Sequence, residues 1–284
     1  MYAAMAACLL LSAMPATAKE NTEKEPLQIV TTIFPVYDWI TNILGDNPGN
    51  ARVTMLMDNG VDLHSFQPTA DDMMTISACD LFIYVGGESD RWVNDALHEA
   101  VNEDMVVLNL LDELGDAARE EELVEGMQPS DEAKEEDEGT GYDEHIWLSL
   151  KNAALLSESI ARAVGMLDEA HAADYEENKN AYVQKLEELD QAYEDMVSKA
   201  QITTVLFGDR FPFRYLTEDY GLTYYAAFDG CSAETEASFE TIMFLAQKMD
   251  ELSLHTCLVT EGRISGSRRR SCGAQKQGIS RSWP

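Results

Sequence analysis

Basic side chains are scarce in this sequence. Its 20 Lys and Arg stand against 52 Asp and Glu, a formal net charge of −32. A phosphate backbone is held by Lys and Arg, so this balance excludes nucleic acid as a partner. Long apolar runs are also missing after the first 18 residues, so no transmembrane span is expected. Cysteines number five in 284 residues. Cys8 falls in the N-terminal apolar stretch. Cys79, Cys231, Cys257 and Cys272 show no C-x-x-C spacing, which excludes a zinc ribbon and a disulfide framework. They read as small core thiols. No H-E-x-x-H helix occurs, and no Ser or Cys nucleophile has a matched base, so a zinc hydrolase is the weaker alternative and no enzyme is expected.

What is present is enough to fold. Apolar residues make up 45% of the chain, which suits one large or two modest domains. Ala6 to Ala13 is an apolar h-region and Ala16-Thr17-Ala18 an A-x-A cleavage site. Residues 1–18 therefore read as a signal peptide, and the mature protein as exported: periplasmic, or on the outer face of the cell membrane.

Strands at Leu27–Phe34, Val53–Met57, Leu81–Val85 and Met105–Leu110 alternate with helices at Tyr37–Leu44, Ala70–Ala78 and Trp92–Asn102. That rhythm implies an α/β lobe with a parallel sheet, spanning 27–165. Within it, residues 112–145 hold fifteen acidic and two basic residues. So little apolar surface predicts a mobile acidic loop over 112–142. It reads either as a solvated insert or as a weak cation collector. A helical pattern then runs from Asp168 to Ala200, with Tyr175, Tyr182, Leu186, Leu189, Tyr193 and Met196 on one stripe. We expect a single rigid helix over 166–200 that links two domains.

A second, partial α/β lobe follows over 201–262. Its strands are Thr203–Phe207, Thr223–Phe228 and Cys257–Thr260, and its helices Phe211–Tyr220 and Phe239–Glu251, the latter capped by Ser238. The last stretch changes character. From Gly262 to Pro284 there are six basic residues and no acid, against 52 acids and 14 bases before it. Residues 263–284 read as an aberrant, frameshifted end, because local composition contradicts the rest of the chain.

Two of the five histidines have a context that a packing histidine does not need. One is Asp62-Leu63-His64-Ser65-Phe66-Gln67-Pro68-Thr69. The other is Tyr142-Asp143-Glu144-His145-Ile146-Trp147-Leu148-Ser149. Each sits at a strand-to-helix turn, with acidic residues beside it. A transition metal needs neutral imidazoles braced by carboxylates and delivered from separate loops. Trp147 and Phe66 are expected to pack nearby. His98, His171 and His255 read as surface or packing residues.

With these segments laid out, the chain resembles the zinc- and manganese-binding substrate-binding proteins of bacterial ABC importers, the zinc-uptake and adhesin-type lipoproteins. The resemblance covers Gln28 to Glu261. It rests on Thr31-Thr32-Ile33-Phe34-Pro35, on Gly60 to Thr69, on Asp143 to Ser149 and on the long helix. It implies two α/β lobes bridged by that helix, with one metal in the cleft between them. It implies metal ligands at His64 and His145. Gly208 stands where a third histidine is usual, so Asp209 is a substitute ligand, unless it simply pairs with Arg210. Glu236 matches a common acidic position. The resemblance further implies zinc as the cargo, with manganese as the alternative, and a membrane permease as the partner of a monomer. Adhesion is a secondary role of some relatives.

Overall fold

The computed structural model describes residues 25–46, 51–58, 60–128, 141–232 and 237–260. The expected signal peptide and basic tail lie outside these residues. Among the described residues, no helix is long and apolar enough to cross a membrane.

The first lobe is built on a parallel sheet in the order β2-β1-β3-β4. Its strands are β1 (Leu27–Thr31), β2 (Ala51–Met55), β3 (Leu81–Tyr84) and β4 (Val106–Asn109). The central strands are apolar on both faces: Ile29, Leu81, Phe82 and Ile83 have no exposed surface. That is the pattern of a sheet covered by helices on each side. The helices are α1 (Phe34–Leu44), α2 (Ala70–Ala78) and α3 (Val93–His98). Pro35 opens α1, where its missing N–H costs nothing. Thr69 closes a capping box with Asp72 at the start of α2.

Two departures matter for the site. The stretch Leu150–Leu167 is an 18-residue helix, α5, additional to the elements expected from the sequence. It is capped by Ser149 and buries Ala153, Leu156, Ile160 and Val164 at helical spacing. The expected long helix is shorter, because Asp168 leaves helical geometry and a 3-10 turn follows at Glu169–His171. Asp168 accepts hydrogen bonds from Tyr175 Oη (2.9 Å) and the His171 ring (2.9 Å), which holds that break. The helix proper, α6 (Ala172–Ser198), has 27 residues and is about 40 Å long. Its first half lies on the first lobe: Tyr175 and Leu186 are buried, and Asn178 donates to the Ile43 carbonyl. Leu189 and Met196, counted on the apolar stripe, are 47% and 57% exposed. Its second half meets the second lobe through Tyr193 stacked on Tyr220 and Asp190 accepting from the Tyr220 hydroxyl.

The second lobe holds a parallel pair, β5 (Thr204–Leu206) and β6 (Thr223–Tyr225), with helices α7 (Arg214–Asp219) and α8 (Phe239–Glu251). The strand expected at Cys257–Thr260 is reduced to a bridge between Phe207 and Leu258.

The acidic segment is not loop throughout. Residues Leu110–Leu114 form a short helix, α4, started by Asn109, whose side chain accepts from the Leu111 and Asp112 N–H groups. Residues 119–128 are then fastened to the second lobe. Arg119 pairs with Glu218 (2.7 Å) and Glu122 with Arg214 (3.0 Å). The Gln128 N–H donates to the Ala227 carbonyl at 2.9 Å. Ion pairs of both polarities thus join this strap to the second lobe. Residues 129–140 lie outside the described set.

Candidate metal centre

His64 and His145 come from opposite edges of the first lobe and meet. His64 sits in a 3-10 turn whose cap is Asp62: the Asp62 carboxylate accepts the His64 N–H at 3.1 Å. His145 precedes another 3-10 turn, and Asp143 accepts its N–H at 2.8 Å. The same Asp143 oxygen lies 2.9 Å from His145 Nδ1. A carboxylate only accepts, so Nδ1 carries the proton and Nε2 presents a lone pair. His64 Nδ1 faces Ser89 Oγ at 2.9 Å and Glu144 Oε2 at 3.5 Å. The two Nε2 atoms then point at each other across 3.3 Å.

The surroundings hold this arrangement. Trp147 packs on the His145 ring with centroids 5.3 Å apart, and Phe66 stands edge-on to Trp92 at 5.6 Å. Glu144 accepts from the Ser89 N–H at 2.7 Å, and its side chain occupies the space a Cβ at Gly87 would need. Gly87 has φ +83°, so only glycine fits there without strain. Burial pushes the Glu144 carboxyl up, but the His64 ring and Ser89 outweigh it and hold it below its ordinary value. Asp62 is also held low: burial raises it, and Arg210 with the His64 N–H more than reverses that.

A third side chain of a metal-ligating type lies beside these two. One ligand atom each of His64, His145 and Cys231 lie within 4.8 Å of one another. Cys231 follows Gly230, whose backbone rests against the His145 ring. A Cβ on Gly230 would stand 3.0 Å from His145 Cε1 and 2.9 Å from the Phe211 carbonyl oxygen. Sequence reasoning missed Cys231 because nothing in cysteine spacing points to histidines so far away in the chain. Glu121 lies against the thiol; burial, then the Asp143 charge, push its carboxyl up to about 7. Burial and the Glu121 and Glu144 charges raise the Cys231 thiol in turn.

A family model described as zinc-uptake complex component A, periplasmic (ZnuA), matches residues 29–270. The chain belongs to the ZnuA family. It is 27% identical over 236 residues to the zinc-binding protein AdcA of Streptococcus pyogenes, covering 81% of this chain and 45% of that protein. It is 28% identical over 225 residues to the high-affinity zinc uptake system protein ZnuA of Bacillus subtilis, covering 77% of this chain and 67% of that one. The zinc(II)-bound structure of AdcA from Streptococcus pneumoniae superposes with a TM-score of 0.67 at 25% identity, over 88% of this chain and 49% of the other. The chain spans about half the length of the AdcA proteins it matches. The two parallel-sheet lobes and the long connecting helix are the ZnuA-type fold.

The remaining site candidates sit elsewhere. Asp209 is buried, but its Oδ2 accepts from the Thr260 N–H and hydroxyl, each at 2.8 Å. It is not part of the group that His64, His145 and Cys231 form. Arg210 reaches across to Asp62 at 2.6 Å. Glu236 lies outside the described residues. His98 and His255 are exposed, and His171 pairs with Asp168.

Proposed function

We propose that this ZnuA-family chain is the extracytoplasmic component of an ABC importer that captures zinc and presents it to a membrane permease. The observation that supports this reading is the 3.3 Å separation of the two Nε2 atoms. Two nitrogens bound to one tetrahedral zinc at about 2.0–2.1 Å stand about 3.3–3.4 Å apart. The spacing is that of a site organised for a cation. Asp143 and the Ser89–Glu144 pair brace the rings from behind, as ligating histidines require.

In this reading His64 and His145 are ligands and Asp209 is a strut that ties Thr260 to the floor of the second lobe. Imidazole nitrogen favours zinc over manganese. The carboxylates of Asp143, Glu144, Glu121 and Asp229 around the site draw a cation in. The family is an uptake component and not an enzyme. The connecting helix and the 119–128 strap restrict the lobes to small tilts, so loading alters the overall shape little.

Calorimetric titration of the full chain with zinc and with manganese tests the proposal, alongside a His64→Ala, His145→Ala double variant. We expect one zinc per chain, bound more tightly than manganese, and no zinc bound by the double variant. Equal zinc binding by the folded double variant overturns the reading. Solution scattering with and without zinc should show nearly unchanged dimensions.

A further inference from the structure

We infer that Cys231 is the third protein ligand of this centre and that its thiolate makes the site a two-histidine, one-cysteine zinc site. The inference rests on the capture reading and adds a residue that neither cysteine spacing nor the family pattern supplies.

Three observations carry it. The first is distance. A tetrahedral zinc with bonds of about 2.0–2.1 Å to nitrogen and about 2.3 Å to sulfur separates N and S by about 3.5–3.6 Å. The ligand atoms of His64, His145 and Cys231 already lie within 4.8 Å of one another. An adjustment of about 1 Å, which a rotation of the cysteine side chain supplies, completes the triangle.

The second is how the thiol gets there. Gly230 has no Cβ, and its backbone is pressed between the His145 ring and the Phe211 carbonyl. That contact delivers residue 231 to the imidazole pair. The third is company. Cys79 packs within the core of the first lobe, and Cys257 against the apolar cluster of the second. Those are the expected core thiols. Cys231 belongs to none of the apolar clusters among the described residues. It is unbridged, and it faces Glu121, Glu144 and Asp143. An apolar-packing role gives no reason for a thiol among carboxylates and imidazoles; a cation shared among them does.

The chemistry follows. Coordination breaks the S–H bond, forms a Zn–S bond and releases the proton to solvent. A thiolate selects zinc and other softer divalent ions over manganese, which prefers oxygen ligands. Cys231 thus substitutes for the histidine that Gly208 lacks, and it sets the site against manganese.

Cobalt(II) is the probe, because thiolate coordination gives it an intense near-ultraviolet charge-transfer band. The full chain should show that band, and Cys231→Ser should lose it. The serine variant should also bind zinc about tenfold more weakly or worse, while manganese binding changes less. Peptide-resolved iodoacetamide labelling of the unmutated chain gives a second measure: zinc should protect Cys231, and it should not do so in His145→Ala. These results hold even if the serine variant folds poorly. The inference fails if zinc affinity is the same in a folded Cys231→Ser, or if bound zinc leaves Cys231 labelling unchanged. With zinc binding still lost in the histidine variants, that outcome removes the cysteine and leaves the capture reading intact. A folded chain that binds no zinc removes both.

Discussion

The two lobes support the same centre with unequal means. Among the described residues, the first lobe surrounds its four strands with one continuous core of 34 buried apolar residues, extending onto α5 and α6 and reaching Tyr215 of α7 in the second lobe. The second lobe has a two-stranded sheet and two small clusters, of five and three buried residues. Both histidines belong to the strong lobe. Cys231, Gly230 and Arg210 belong to the weak one. Local opening concentrates where few apolar contacts resist it. Among the described residues, the imidazole pair therefore rests on the larger core and the residues that face it on the smaller ones.

The contrast is sharpest in core truncations. Phe82 is fully buried in the first lobe and Phe228 is 2% exposed in the second. Phe→Ala at a buried site costs about 3–5 kcal/mol. Phe82→Ala should lower the main unfolding transition by that amount and weaken zinc binding with it. Phe228→Ala should raise hydrogen exchange across β5, β6 and α8 while the first lobe keeps its protection. Equal loss of protection in both lobes would show that they unfold as one and would dissolve the comparison.

Even the strong lobe holds one group against its preference. Asp90 is 3% exposed beside the glycine turn and accepts the Gly86 N–H at 3.0 Å. Burial, aided by the Glu144 charge, lifts its carboxyl from 3.8 to about 6. A carboxyl raised on folding favours the native state below its unfolded pKa. That contribution is lost as pH climbs through the folded value. Stability from this group should therefore fall between about pH 4 and pH 6. Asp90→Asn keeps an oxygen for Gly86 and removes the charge. Urea unfolding should find it about 1–3 kcal/mol more stable at pH 7 and flatter across that window. A variant less stable at pH 7 would mean that the charge is satisfied.

Gly230→Ala attacks the weak lobe at its contact with the strong one. The added methyl meets the His145 ring and the Phe211 carbonyl, so the turn must retreat. Zinc affinity should fall about tenfold with global stability little changed, since the second lobe can yield. Unchanged affinity would show that the turn's closeness to His145 is incidental.

Much of this division was legible in the sequence. Alternating apolar strands and helices gave the parallel sheet, and α8 runs from Phe239 to Glu251 as its Ser238 cap and periodicity predict. The two histidine turns were visible because the Asp62 and Asp143 carboxylates are local, two residues from the histidines whose N–H groups they accept. What stayed hidden is long-range. The approach of Cys231 to His145 depends on Gly230, 85 positions along the chain from that histidine. The ordered course of 119–128 depends on Arg214 and Lys248, which composition within the acidic segment does not reveal. The bond from the Thr260 hydroxyl to Asp209 likewise spans 51 residues.

The smallest effect tests how the lobes part. Arg210 of the second lobe holds Asp62 of the first, and Asp62 also caps the His64 turn, so one carboxylate serves the lobe contact and the ligand together. The pair is 28% and 39% exposed, which limits it to about 0.5–1 kcal/mol in water. If the lobes separate for release, this pair must break first or with them. Arg210→Ala should then speed zinc loss to a chelator by about two- to fivefold, with the association rate nearly unchanged. Added salt should erase the difference by weakening the pair in the unmutated chain. Asp62→Asn separates the two roles, because its amide oxygen still accepts the His64 N–H. A release rate matching that of Arg210→Ala assigns the effect to the lobe contact. A slower association in Asp62→Asn would place it in the positioning of His64 instead. Unchanged release in both variants would mean that metal leaves without the lobes separating at this edge.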